Sequence, residues 1–111
     1  MELKKLNFFL ILFVITSCSY NSFEDKFDGG SGCFNVSYAS DISPIISTNC
    51  AISGCHAGSQ FPDLRIFSNV QSNANTIKSL TQSRAMPKKG SLTPAEISLI
   101  GCWVDNGAPD N

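Results

Sequence analysis

Cys50-Ala51-Ile52-Ser53-Gly54-Cys55-His56 holds the only histidine of the chain and two of its five cysteines. Two thiols a short turn apart, with an imidazole directly after the second, put three bond-forming groups on one small loop. Working outward, Ile42, Ile45 and Ile46 fall at i, i+3 and i+4 just before the loop, and Cys50 continues that face one turn later. The spacing predicts a helix over 41–49, with Asp41 as N-cap and Pro44 tolerated in the first turn. Beyond the loop, Ile77 and Leu80 mark a weakly amphipathic helix over 72–82. Thr93-Pro94-Ala95-Glu96 is a capping box with proline at the first helical position; it opens a helix over 93–106 that Gly107 stops. The buried stripe of that helix is read as Ile97, Ile100 and Val104, with Leu99 and Trp103 alongside. Gly, Ser, Asn and Pro fill the stretches between, and no alternating strand of useful length occurs, so the expected class is all-α.

Composition narrows the function. The chain has 111 residues and a net charge of −1, room for one small domain. Eight Lys and Arg against nine Asp and Glu leave no basic footprint, so nucleic acid is not an expected partner. The predicted domain, 33–111, is small enough that a bare hydrophobic core stabilises it only marginally, and a staple or a cofactor is expected.

The N-terminus reads as an address. Lys4 and Lys5 precede an unbroken apolar run, Phe8 to Ile15, too short to span a hydrocarbon core of about 20 helical residues but suited to a secretory signal. Ile15-Thr16-Ser17-Cys18 resembles the lipobox of a bacterial lipoprotein, although Leu is commoner where Ile15 stands and Ala or Gly where Ser17 stands. The resemblance implies a signal peptide over 1–17, lipidation of Cys18, membrane anchoring there and residence in the cell envelope outside the cytoplasm, facing the periplasm or the cell surface. An ordinary signal peptide with a free thiol at Cys18 is the alternative. Residues 18–32 are polar and glycine-rich without periodicity and read as a flexible tether, reaching about 20 Å as a random coil. Export permits disulfides.

Around Cys50, Cys55 and His56 the sequence resembles a c-type cytochrome of the small haem domains found in bacterial lipoproteins. Asp41-Ile42-Ser43-Pro44-Ile45-Ile46 before the motif, Met86-Pro87 after it and Trp103-Val104-Asp105-Asn106-Gly107-Ala108-Pro109 at the end share the likeness. It implies a cytochrome c-like helical domain around one haem c, with thioethers at Cys50 and Cys55 and His56 as the proximal iron ligand. Here four residues separate the cysteines, whereas the usual motif is C-x-x-C-H. With no second histidine, and Met1 in the signal, the likeness makes Met86 the sixth ligand. Met/His ligation suits electron transfer at a raised potential. The likeness also implies that Trp103 packs near the haem, that Gly101 allows a close helix contact and that Cys33 and Cys102 pair; a buried free thiol at Cys102 is the alternative. Ile42, Ile45, Ile46, Leu64, Leu92, Ile97, Ile100 and Val104 would exclude water. Lys88 and Lys89 would rim the haem edge for an acidic redox partner, or simply belong to a solvated loop.

No nucleophile–base pair is evident, so an electron carrier is expected rather than a catalyst. Other readings of the same residues stay open. These are a Cys50–Cys55 disulfide in a haem-free lipoprotein that acts as a binding module, a zinc site completed by a remote cysteine, and a haem-based sensor with a displaceable Met86. A thiol oxidoreductase would want C-x-x-C and a βαβ setting, and neither is present.

Overall fold

The computed structural model describes residues 33–111; the signal peptide expected over 1–17, Cys18 and the tether expected over 18–32 lie outside the described residues. Among the described residues the fold is helical with no strand. A π turn, Tyr38–Ile42, leads into α1, Ser43–Asn49; then follow α2, Phe67–Ser72, α3, Ala74–Gln82, and α4, Pro94–Asp105.

The first helical segment starts earlier than its sequence suggests. Ser37, not Asp41, is the N-cap, its hydroxyl accepting from the Ser40 N–H, while the Asp41 carboxylate accepts from the Ser37 N–H at 2.8 Å. Asp41 therefore works from inside the first turn, where the positive end of the helix favours it. The N–H groups of Ile42 and Ser43 donate five residues back, to Ser37 and Tyr38. That wide turn lies immediately ahead of Pro44, whose ring would crowd the carbonyl four residues back in a tighter spiral.

The helix predicted over 72–82 is α3, which starts two residues later, at Ala74, and a separate helix, α2, precedes it. Asn73 leaves helical geometry at ψ 11° and its side chain donates to the Asn69 carbonyl, a local bond that competes with helix continuation. The missed α2 carries its own signal in Phe67 and Val70, at i and i+3.

α4 follows its sequence closely. Thr93 and Glu96 close the capping box reciprocally, at 3.2 and 2.8 Å. At the other end Gly107 takes φ +96°, its N–H donating to Val104 and that of Ala108 to Trp103, which is a Schellman stop. Leu99 through Val104 are all buried, because α4 packs against α3 on one side and the π turn on another. Trp103 is fully buried; its indole N–H donates to the Pro109 carbonyl, and the Tyr38 ring lies 5.4 Å away. Cys33 and Cys102 form a disulfide that ties the chain ahead of the π turn to α4. No helix among the described residues is long and apolar enough to cross a membrane.

Candidate functional site

The loop after α1 is shaped by its own backbone. Cys50 caps α1 with its N–H on the Ile46 carbonyl, and the chain then folds back until the His56 N–H reaches the Cys50 carbonyl at 3.1 Å. Gly54 makes the return with φ +79°, a left-handed position immediately before Cys55. Four intervening residues thus bring the second cysteine and the histidine back beside the first.

Met86 arrives from the other side. After α3, Arg84 takes φ +60° and turns the chain, and the Met86 N–H donates to the Leu80 carbonyl at 3.1 Å. That bond ties the methionine to the end of the helix that forms the facing wall.

Cys50, Cys55, His56 and Met86 all line one cleft of about 560 Å³. This lies within the range of about 300–1,000 Å³ usual for small-molecule and cofactor sites. Its walls are Ile52, Phe61, Pro62 and Leu64 on one side and Ile77 and Leu80 on the other, and no acidic side chain lines it. Lys88 and Lys89 stand at the lining from the Met86 loop.

Of the apolar residues expected to keep water from the site, only Leu64 lines the cleft. Ile42, Ile45, Ile46, Leu92, Ile100 and Val104 are buried in the core instead, and Ile97 packs against it half-buried. Trp103 likewise packs with Tyr38 rather than on the cleft wall. Helical periodicity marks a buried face without saying whether core or cleft lies beyond it. Ile77 and Leu80, read from the sequence only as one face of a helix, line the cleft, and Ile77 also packs against the core.

His56 is oriented. Its Nδ1 lies 2.9 Å from the Pro62 carbonyl oxygen, which can only accept, so the proton sits on Nδ1 and the neutral ring keeps its lone pair on Nε2. A ligating histidine is commonly held in this way, and the bond raises the basicity of the free nitrogen. Pro62 is in turn set within a braced loop, where the Leu64 N–H donates to the His56 carbonyl at 2.8 Å.

Cys50 and Cys55 are both free thiols, and Cys50 is buried. Burial, and then the neighbouring Cys55, push the Cys50 thiol up to about 11, so it stays protonated at neutral pH. That is the reverse of the lowered value a thiol–disulfide exchange nucleophile needs. The zinc reading required a remote cysteine; among the described residues the two remote ones, Cys33 and Cys102, are bonded to each other. Among the described residues no group of three or more His, Cys, Asp or Glu is arranged to hold a metal ion.

The donor set fits a haem c. Two thiols, one imidazole with a free Nε2 and one thioether share an apolar cleft of suitable size. Soft sulfur and imidazole donors in an apolar wall suit an iron porphyrin better than a hard, oxygen-seeking cation. Compared with protein-family models, with curated proteins and with solved structures, the chain matches none.

Proposed function

We propose that this chain is a monohaem c-type cytochrome that carries one electron at a time, held to a membrane of the cell envelope by lipid at Cys18. The observation that carries the reading is the convergence of Cys50, Cys55, His56 and Met86 on one cleft, with Pro62 holding the imidazole so that Nε2 is the free nitrogen. Cys50 and Cys55 would hold the haem through thioethers, and His56 and Met86 would be its axial ligands. Haem c bound there supplies a ferric/ferrous couple.

The residues of the chain do the rest. The Pro62 carbonyl keeps the Nδ1 proton in place and fixes the ring. Leu64, Ile77 and Leu80 exclude water from the walls. With His56 and Met86 both holding the iron, no position would be left for a substrate, which would suit a carrier rather than a catalyst.

A redox partner with an acidic face is the one the charges favour. Arg65 is paired with Asp63 and Lys78 with Asp105, whereas among the described residues Arg84, Lys88 and Lys89 make no ion pair, and all three belong to the Met86 loop. Phe61, 89% exposed, adds an apolar contact at the cleft lining.

The test is a haem stain with an intact mass on denatured full-length protein from its native host. Haem that stays attached, and is lost in the Cys50→Ala/Cys55→Ala variant, is the expected result. A colourless wild-type protein overturns the proposal in favour of the haem-free binding module.

A further inference from the structure

The brace around Pro62 reaches α2. Asp63 follows Pro62 directly, and its carbonyl accepts from the side-chain Nδ2 of Asn69 at 3.0 Å. The Asp63 carboxylate is held away by Arg65, accepting from its backbone N–H at 3.1 Å and its guanidinium at 2.6 Å. On the other flank the pyrrolidine ring of Pro62 fixes its own φ. The peptide plane that presents the Pro62 oxygen to His56 is thus bounded by a rigid ring before it and an anchored carbonyl after it.

Asn69 is itself well seated. Its carbonyl accepts from both the N–H and the Nδ2 of Asn73, at 3.2 and 2.8 Å, and Asn73 lines the cleft. Its neighbour Val70 is fully buried in the core. A hydrogen-bonded run therefore leads from the core-seated α2 through Asn69, the Asp63 carbonyl and the Pro62 oxygen to the His56 imidazole.

We propose that Asn69 is a positioning residue for His56. By anchoring the Asp63 carbonyl it fixes the Pro62 oxygen, and so the protonated nitrogen and the ring orientation of the histidine. Its importance for iron rests on the proposed role of His56 as an axial ligand; the clamp itself does not. Held in this way, the ring is more electron-donating through Nε2, and the clamp would lower the potential of an iron held there.

The test follows the His56 Nδ1 proton in ¹⁵N-labelled full-length chain as isolated. Asn69→Asp keeps the size but removes the donor; Asn69→Ala removes it without adding charge. Each is expected to speed exchange of that proton with solvent by about threefold to tenfold, the worth of one ordinary hydrogen bond. Thr93→Ala is the control for general loosening, because it removes the α4 cap and should leave the exchange rate unchanged. In haem-bearing chain the two Asn69 variants should also raise the reduction potential, and Thr93→Ala should not. Unchanged exchange in both Asn69 variants, or equal acceleration in Thr93→Ala, overturns the proposal. A colourless chain overturns the haem reading, while the exchange rates still decide the clamp.

Discussion

Cutting the Cys33–Cys102 bridge by the double change Cys33→Ala/Cys102→Ala should remove a large part of the stability of the domain. The two cysteines are 69 residues apart, so the bridge closes nearly the whole of it into one loop. Chain entropy for a loop of that length is worth about 4 kcal/mol, acting on the unfolded ensemble. A domain of this size is stable by about 4–12 kcal/mol in total, so the loss is a third or more of what is available. The folded chain keeps other ties between the same ends. The Asn106 side chain donates to the Cys33 carbonyl at 2.7 Å, and Asn111 meets Ser37 and Tyr38 at 2.6 and 2.8 Å. These form only in the folded state and survive the change, which is why the effect should fall on the unfolded side. Urea unfolding of full-length wild type and variant, matched in cofactor content, measures it. The expected result is a loss of about 3–5 kcal/mol. The denaturant slope should also steepen, because the freed unfolded chain exposes more surface. A loss below about 1 kcal/mol with an unchanged slope would refute the chain-entropy argument.

Met86→Ala should leave haem attached but open the sixth position, lowering the potential and admitting carbon monoxide to the reduced form; an unchanged ferric spectrum would remove Met86 from that role. His56→Ala should yield little haem-bearing protein, checked by haem stain against total protein, and normal content would argue against it as proximal ligand. Gly101→Ala decides between two effects. The added Cβ would meet the flexible Gln82 Nε2 at 3.4 Å, an ordinary contact, while replacing an interior helical glycine gains about 1 kcal/mol, so the melting temperature should rise and a fall would show tighter packing between α3 and α4. The Cys50 thiol gives a pH signature in haem-free Cys55→Ser chain. Burial, the larger of the two causes that raise the wild-type value to about 11, remains in this variant, so folding still favours the protonated form; this contribution is complete below pH 9, the ordinary value, and is lost as pH rises through the raised folded value. Alkylation at pH 8 should accordingly be slow and accelerate only in alkali, and fast labelling at pH 8 would contradict burial of the thiol.

The parts legible from the chain alone were those governed by neighbours a few residues apart. Thr93, Glu96 and Gly107 specify both ends of α4 through bonds no longer than one turn. The order of Cys50, Cys55 and His56 likewise declares a cluster before any packing is known. The first helix was misread at its start because the Ser37 cap and the wide turn before Pro44 depend on a change of hydrogen-bond register that periodicity does not reveal. α2 was missed because a six-residue helix offers only two or three apolar positions to recognise.

What lies across the cleft was a matter for tertiary structure. Pro62 as the acceptor for His56, Asn69 behind it, and Ile77 and Leu80 as the wall opposite the motif are contacts between segments whose sequences do not announce one another. Trp103 shows the same limit: beside Cys102 in the chain, it turns to Tyr38 and the core rather than to the cleft. The sequence by itself determined the all-α class, the frame of α4 and the kinds of donor group that the Cys50–His56 loop carries, because caps, periodicity and side-chain type are local. Only the folded chain decided which apolar faces became core and which became cleft, since burial is shared among helices and each face is assigned by what packs against it.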